Sequence, residues 1–363
     1  MTAPLLEVRG LNKIYRSGGG FLRAPREAQV VKDVGFTVGR GEVFGLVGES
    51  GSGKTTIGRM LLRLTEADSG EILFDGQDVR ALGPAALRGF RRRAQMIFQD
   101  PFASLDPRVR VGDAIAAPIR LHGLRPAGSV KDRVVELLEM VGLSAAHADR
   151  HPHAFSGGQR QRVAIARALA VEPELIVCDE PVSALDLSVQ AQVVNLLADL
   201  SARLGVAYVF ISHDMAVVRH LASHVGVLYA GRLVETGPAA AVLGAPRHPY
   251  TRMLLAASPR PHAAGRRERA EATGEPPSPY GREPGCRFAS RCPHAVAACR
   301  AAEPPLDAFA DGARFAACIR AAELGPETAP APEGAPSPAF QTRMALLRAA
   351  RAEGRAASPD APA

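Results

Sequence analysis

The chain is poor in aromatic residues, which fill 5% of its 363 positions with no tryptophan among them, and poor in lysine. Only Lys13, Lys32, Lys54 and Lys131 stand among the 44 basic residues, so the formal charge of +7 rests on scattered arginines, tightly grouped only at Arg91, Arg92 and Arg93. Nucleic-acid-binding surfaces gather their basic residues into a stripe with aromatics between them. The pattern here is that of a solvated surface, and no nucleic-acid partner is expected. Long apolar runs are also missing. The run from Val225 to Ala230 has the size of a strand, far short of the roughly 18 residues of a spanning helix, so any membrane association must come through a partner. The opening MTAPLLEVRG has no basic head leading into an apolar core, so no secretory signal is expected and the cytoplasm is the expected compartment. Cysteines number five. Cys178 lies inside an apolar strand-like run, while Cys286, Cys292, Cys299 and Cys318 cluster near the C-terminus, which in a reducing compartment points to a metal site rather than a disulfide framework.

From residue 5 to about 240, apolar strand-like runs (VFGLVG, ELIVCDE, AYVFISH, HVGVLYAG) alternate with helical patterns (RVVELLEMVG, RQRVAIARALA, VQAQVVNLLADLSARLG). Such alternation predicts βαβ units and a largely parallel core sheet covered by helices. After about Ala257 the chain turns rich in Pro, Gly and charge, as a linker or arm would be, and the cysteine cluster follows. From Pro326 it is Ala/Pro-rich and polar, the composition of a disordered tail. No internal repeat is visible.

The strand-like Val43–Val47 runs directly into Gly48-Glu49-Ser50-Gly51-Ser52-Gly53-Lys54-Thr55-Thr56, the G-x-x-x-x-G-K-[ST] pattern of a phosphate loop. The glycines let backbone N–H groups converge on phosphate oxygens at a helix start whose partial positive charge favours an anion. Lys54 should reach the β- and γ-phosphates of ATP, and the Thr55 hydroxyl should ligate Mg²⁺. A second apolar run, 174–178, ends in Asp179 and Glu180. By itself that pair could be a solvated turn; beside a phosphate loop, Asp179 is the Mg²⁺ candidate and Glu180 the catalytic base. A third element, Ser156-Gly157-Gly158-Gln159, opens the helix RVAIARALA about twenty residues before the acidic strand. It makes a second anion-binding helix start. One chain does not need two for one γ-phosphate, so it reads as the far wall of a site on another chain.

Here the sequence resembles the ABC ATPases, whose signature motif LSGGQ appears as Phe155-Ser156-Gly157-Gly158-Gln159. The resemblance implies a P-loop cassette with a parallel core sheet, an antiparallel β subdomain, a helical signature subdomain (about 100–170) and, here, a small cysteine-bearing extension. It also implies roles: Gln99 as the Q-loop residue, a Mg²⁺ and catalytic group that couples the metal and γ-phosphate to the membrane subunits, Ser183-Ala184-Leu185-Asp186 as the D-loop at a dimer seam, His213 as the γ-phosphate switch, and Tyr15, or alternatively Phe21, under the adenine. With one cassette in the chain, the second belongs to another ATPase subunit.

Longer strings, including QMIFQDPFASLDPR, HPHAFSGGQRQRVAIARALA, DEPVSALDLSVQAQVVNLL and HPYTRMLLAASPRP, are similar to the ATPases of oligopeptide, dipeptide and nickel importers, more to the "F" than the "D" half of the paired subunits. That similarity implies a cassette over 5–257, an importer-type extension over 258–325, a tail over 326–363, and a peripheral position on the cytoplasmic face of the inner membrane. The implied partners are two integral-membrane permeases and, indirectly, an extracytoplasmic solute-binding protein. The cysteine cluster then implies a [4Fe–4S] cluster, with Zn²⁺, for which His294 could replace one thiolate, or a metal-free extension as alternatives. Nickel remains open as the transported solute. A soluble ABC ATPase acting on ribosomes or nucleic acid is the remaining alternative, disfavoured by the absence of a second cassette or a coiled-coil insertion.

Overall fold

The structure, a computed structural model, describes residues 3–18, 26–100, 104–257, 274, 277–281, 284–309 and 312–325. The linker-like stretch after 257 falls largely outside these residues, and Phe21 and the tail from 326 lie wholly outside them.

In chain order the strands are β1 (Leu6–Ser17), β2 (Arg26–Val38), β3 (Val43–Val47), β4 (Ser69–Phe74), β5 (Gln77–Asp78), β6 (Ala94–Ile97), β7 (Leu175–Asp179), β8 (Ala207–Ser212), β9 (His224–Tyr229), β10 (Arg232–Pro238), β11 (Asp307–Ala308) and β12 (Phe315–Ala316). The helices are α1 (Lys54–Leu61), α2 (Pro84–Arg93), α3 (Val111–Leu121), α4 (Val130–Met140), α5 (Gly157–Leu169), α6 (Leu187–Leu204), α7 (Met215–Leu221), α8 (Ala239–Gly244), α9 (Pro249–Ala257) and α10 (Ala297–Ala301).

Two sheets divide the strands. An eight-stranded sheet has the order β11-β12-β10-β9-β3-β8-β7-β6, and a four-stranded antiparallel sheet has the order β2-β1-β4-β5. Within the large sheet, β6, β7, β8, β3 and β9 run parallel. Every residue of β3, β7 and β8 is buried, the continuous apolar reading of strands covered on both faces. Cys178 is one of these core residues; burial pushes its thiol far above the usual range. Helices α3, α4 and α5 pack on one another beside the sheet through Ile115, Ile119, Val134, Leu137 and Ile165. No helix of the described residues is long and apolar enough to cross a membrane.

The parallel register sets the site. Val47 pairs with Ser212, and Asp179 pairs with Ile211, so neighbouring strands end on the same edge of the sheet. The residues just beyond those ends are Gly48, Glu180 and His213, with Gln99 two positions past the end of β6. In parallel α/β sheets this carboxyl edge is where ligands bind.

The C-terminal extension is joined to the core rather than standing apart. Its β12 adds to β10, with Glu235 opposite Ala316 and Thr236 opposite Phe315, which covers an otherwise open sheet edge. Phe288 is 2% exposed and its ring lies 5.2 Å from Tyr229 and 5.5 Å from Tyr250. Burying that ring is worth on the order of 2 kcal/mol. The segment has little apolar material for a core of its own, and the structure shows that it shares the core of the cassette.

Candidate active site

The phosphate loop is shaped by its last glycine. Gly53 caps α1 with φ +104, and a Cβ there would meet the Val30 carbonyl at 2.6 Å, so a side chain would have to displace backbone. Behind it, the Lys54 side chain is 4% exposed and lies 3.8 Å from Glu180 Oε1. Its Nζ donates to the carbonyls of Gly48 (2.9 Å) and Glu49 (2.8 Å). Burial lowers its pKa, and the charges of Glu180 and Asp179 oppose that shift. Ser50 and Gly51 line a cavity of about 490 Å³ together with Ser52. The Ser52 hydroxyl is buried with no partner among the described residues. An orphaned hydroxyl in a glycine-rich turn at a helix start fits a phosphate oxygen.

At the other end of the loop the Thr55 hydroxyl donates to Asp179 Oδ1 at 2.9 Å, with Thr56 following on α1. Burial lifts the Asp179 carboxyl above its usual range, against the pull of the Thr55 hydrogen bond. A hydroxyl and a carboxylate side by side are the hard oxygen donors that suit Mg²⁺. Gln99 is not joined to this pair. Its amide donates to Glu180 Oε2 at 3.4 Å, and His213 Nδ1 stands 3.2 Å from the same oxygen. Glu180 therefore centres a cluster of Gln99, His213 and Lys54. It has φ +46, an uncommon conformation for a residue with a side chain and one that recurs at functional sites; its N–H donates to the Ile211 carbonyl.

The signature stands apart from this cluster. Ser156 caps α5 in a capping box: its N–H donates to Gln159 Oε1 (3.0 Å), and the Gln159 N–H donates to its hydroxyl (3.3 Å). Phe155 is buried in the core. Gly158 must be glycine, because a Cβ would lie 2.2 Å from Val189 Cγ1, while a Cβ on Gly157 would touch Leu185. The motif thus lies against Leu185 of the Ser183–Asp186 loop and Val189 of α6. Ser183 donates from its hydroxyl to the Glu180 carbonyl (3.1 Å), Ala184 is exposed, and Asp186 caps α6. Leu187 beside it is 82% exposed, an apolar side chain on an open face. Tyr15, near the end of β1, is 43% exposed with the Lys13 ammonium over its ring; its neighbour Ile14, not Tyr15, lines the cavity.

All five cysteines are free. Cys286, Cys292, Cys299 and Cys318 line one cavity of about 20 Å³ with His294. The Cys286 thiol is pushed up to about 11, chiefly by burial, with Cys318, Cys292 and Cys299 acting in the same direction. Among the described residues no group of three or more His, Cys, Asp or Glu is arranged to hold a metal ion.

The family model described as "ABC transporter" matches residues 31–183, and that described as "Oligopeptide/dipeptide transporter, C-terminal region" matches 234–299. A putative peptide import ATP-binding protein of Brucella ovis is 50% identical over 317 residues, which cover 87% of this chain and 98% of that protein. The chain belongs to the ABC transporter family. Within the family it is also similar to the glutathione import ATP-binding protein GsiA of Escherichia coli, at 54% identity over 70% of this chain and 41% of GsiA. An ATP-binding cassette solved as a dimer in a post-hydrolysis state with ADP and Pi is 28% identical, with a TM-score of 0.58, over 64% of this chain and 98% of its own. As an ABC ATPase the chain binds and hydrolyses ATP, a use to which the carboxyl-edge cluster is suited.

The sequence reading missed Arg291 and Tyr250. Arg291 makes a two-pronged ion pair with Glu49 of the phosphate loop, and the Tyr250 hydroxyl accepts the Glu49 N–H at 2.9 Å. Neither carries a local sequence signal: one is an arginine among many, the other a tyrosine of the HPYTRM string.

Proposed function

We propose that this chain is the ATP-hydrolysing subunit of an importer for di- and oligopeptides. It works as one of a pair of cassettes on the cytoplasmic face of the inner membrane, bound to two permeases that an extracytoplasmic binding protein supplies. The carrying observation is the convergence of Lys54, the Thr55–Asp179 pair and Glu180 on one sheet edge, in a chain half identical along most of its length to a putative peptide import ATP-binding protein. In this reading the cassette spans 5–257 and the extension 258–325.

Each residue has a task. The phosphate loop, Gly48 to Thr56, and the Lys54 ammonium hold the phosphates, and Tyr15 lies under the base. Mg²⁺, held by Thr55, Asp179 and Gln99, would neutralise charge developing between the β- and γ-phosphates. Glu180 takes the proton of the attacking water, and His213 steadies the γ-phosphate oxygens from the other side of Glu180. Ser156 to Gln159 close on nucleotide bound by the partner cassette, with Ser183 to Asp186 at the seam; closure drives the permeases to switch access, and hydrolysis reopens the pair. In the assembled transporter, di- and oligopeptides delivered by the binding protein should stimulate ATP turnover several-fold over the basal rate. Stimulation by nickel alone would reassign the cargo, and failure to copurify with membrane subunits would refute the transport role.

The same reading gives the four cysteines a [4Fe–4S] cluster with a structural role. What supports this is that the four cysteines line one small cavity with His294. After anaerobic purification we expect iron and sulfide in equal amounts, about four of each per chain. Stoichiometric zinc without sulfide would replace the cluster, and a metal-free folded extension would remove it.

A further inference from the structure

The cavity beside the phosphate loop has two walls of different origin. One consists of Glu49 to Ser52 with Ile14, Val30 and Lys32 of the cassette, and the other of Pro277, Ser278, Pro279, Gly281 and Arg287 of the extension. The second wall is pinned. The Gln29 N–H donates to the Pro279 carbonyl at 3.1 Å, and the Arg287 guanidinium donates to the Ala230 carbonyl and to Gln29 Oε1. Glu303 of the extension pairs with Lys32, Arg232 and Arg287. At about 490 Å³ the cavity has the size of a small-ligand site.

The strongest link reaches the loop itself. Arg291 Nη1 lies 2.8 Å from Glu49 Oε2, and Nη2 lies 2.9 Å from Oε1. This parallel fork is the geometry in which Arg and a carboxylate bind most strongly. The Arg291 side chain is 6% exposed. Its guanidinium lies 5.8 Å from the Tyr229 ring centre and 6.0 Å from that of Phe288, so it is held from behind by the aromatic group that fastens the extension to the core. Glu49 is thus gripped twice, by Arg291 through its carboxylate and by Tyr250 through its N–H. None of these contacts touches Glu180, Gln99 or His213.

We propose that the extension sets ATP affinity, with Arg291 as a positioning residue that holds Glu49, and through it the tip of the phosphate loop, in the nucleotide-binding conformation. A loop that is competent only a fraction of the time binds more weakly in inverse proportion to that fraction. Freed of the fork, a tip that is correctly placed about one time in ten would weaken ATP binding about tenfold. Turnover at saturating ATP would be little changed, because bound phosphate restores the loop and the hydrolytic cluster is untouched. The proposal rests on the cavity's being the nucleotide site.

The test uses the full chain and Mg-ATP, with affinity measured by calorimetry and the split between KM and kcat measured in the assembled transporter. Arg291→Ala should raise Kd and KM about tenfold with kcat within about twofold, Glu49→Gln should raise Kd by a similar factor, and the double variant should bind no worse than either, since the two act as one interaction. Arg291→Lys, which can make one bond of the two, should recover part of the loss. If Arg291→Ala does not fold, Glu49→Gln and Arg291→Lys still decide, since both retain the packing. Native ATP affinity in these variants, or losses that add in the double variant, overturns the proposal. Lys54→Ala separates the two levels: if it also binds ATP at native strength, the nucleotide assignment of the cavity fails, and the proposal with it.

Discussion

Glu180→Gln should bind ATP as tightly as the native chain and lose ATP turnover by a factor of about 10²–10⁴, the range in which a positioned general base contributes. The substitution keeps the shape of the side chain, so contacts to Gln99 and His213 can be remade. It removes the negative oxygen that accepts a proton from water. Binding depends instead on the loop N–H groups and on Lys54, whose Nζ lies 3.8 Å from Glu180 Oε1; loss of that neighbouring negative charge should leave the ammonium freer to meet phosphate. With hydrolysis stopped, the two cassettes should stay closed on uncleaved ATP, visible as a nucleotide-dependent dimer in size-exclusion chromatography. Turnover at the native rate in the assembled transporter would show that Glu180 is not the base.

Lys54→Ala should fail one step earlier. Its ammonium is buried and hydrogen-bonded to loop carbonyls, and a charged hydrogen bond to phosphate is worth about 1.5–3 kcal/mol, or about ten- to a hundredfold in Kd. Isothermal titration of the isolated chain reads this directly. Ser156→Ala supplies the contrast. Ser156 bonds within its own helix start, so the isolated chain should keep its ATP affinity while hydrolysis by the paired cassettes falls. In mixed pairs, Lys54→Ala should disable the site on its own chain and Ser156→Ala the site on the partner. Loss of ATP binding by the isolated Ser156→Ala chain would mean that the signature closes its own site.

Much of this site could be read along the chain because its parts are local. A buried strand, a glycine-rich turn and a helix occupy consecutive positions from Val43 to Leu61, and the Ser156–Gln159 capping box is complete within four residues. Strands β7 and β8 show as apolar runs because both faces are covered. Less could be read of Tyr15, which the structure leaves half-open with Ile14 at the cavity. The contact of the Gln99 amide with Glu180 likewise leaves no mark along the chain.

The sequence by itself therefore determined the α/β class, the phosphate loop and the acidic strand end, since periodicity and turn chemistry act over a few residues, and its resemblance to the ABC ATPases implied the signature and histidine elements. Only the tertiary structure decided that Glu180, Gln99 and His213 meet. Gln99 and Glu180 are 81 positions apart, and their meeting follows from the parallel register that brings β6, β7 and β8 to one edge. The tertiary structure alone likewise placed the extension against the phosphate loop. Arg291 and Glu49 lie 242 positions apart, and a pair so distant leaves no pattern along the chain; it arises when β12 joins β10 and Phe288 enters the shared core, where burial of apolar surface selects the arrangement.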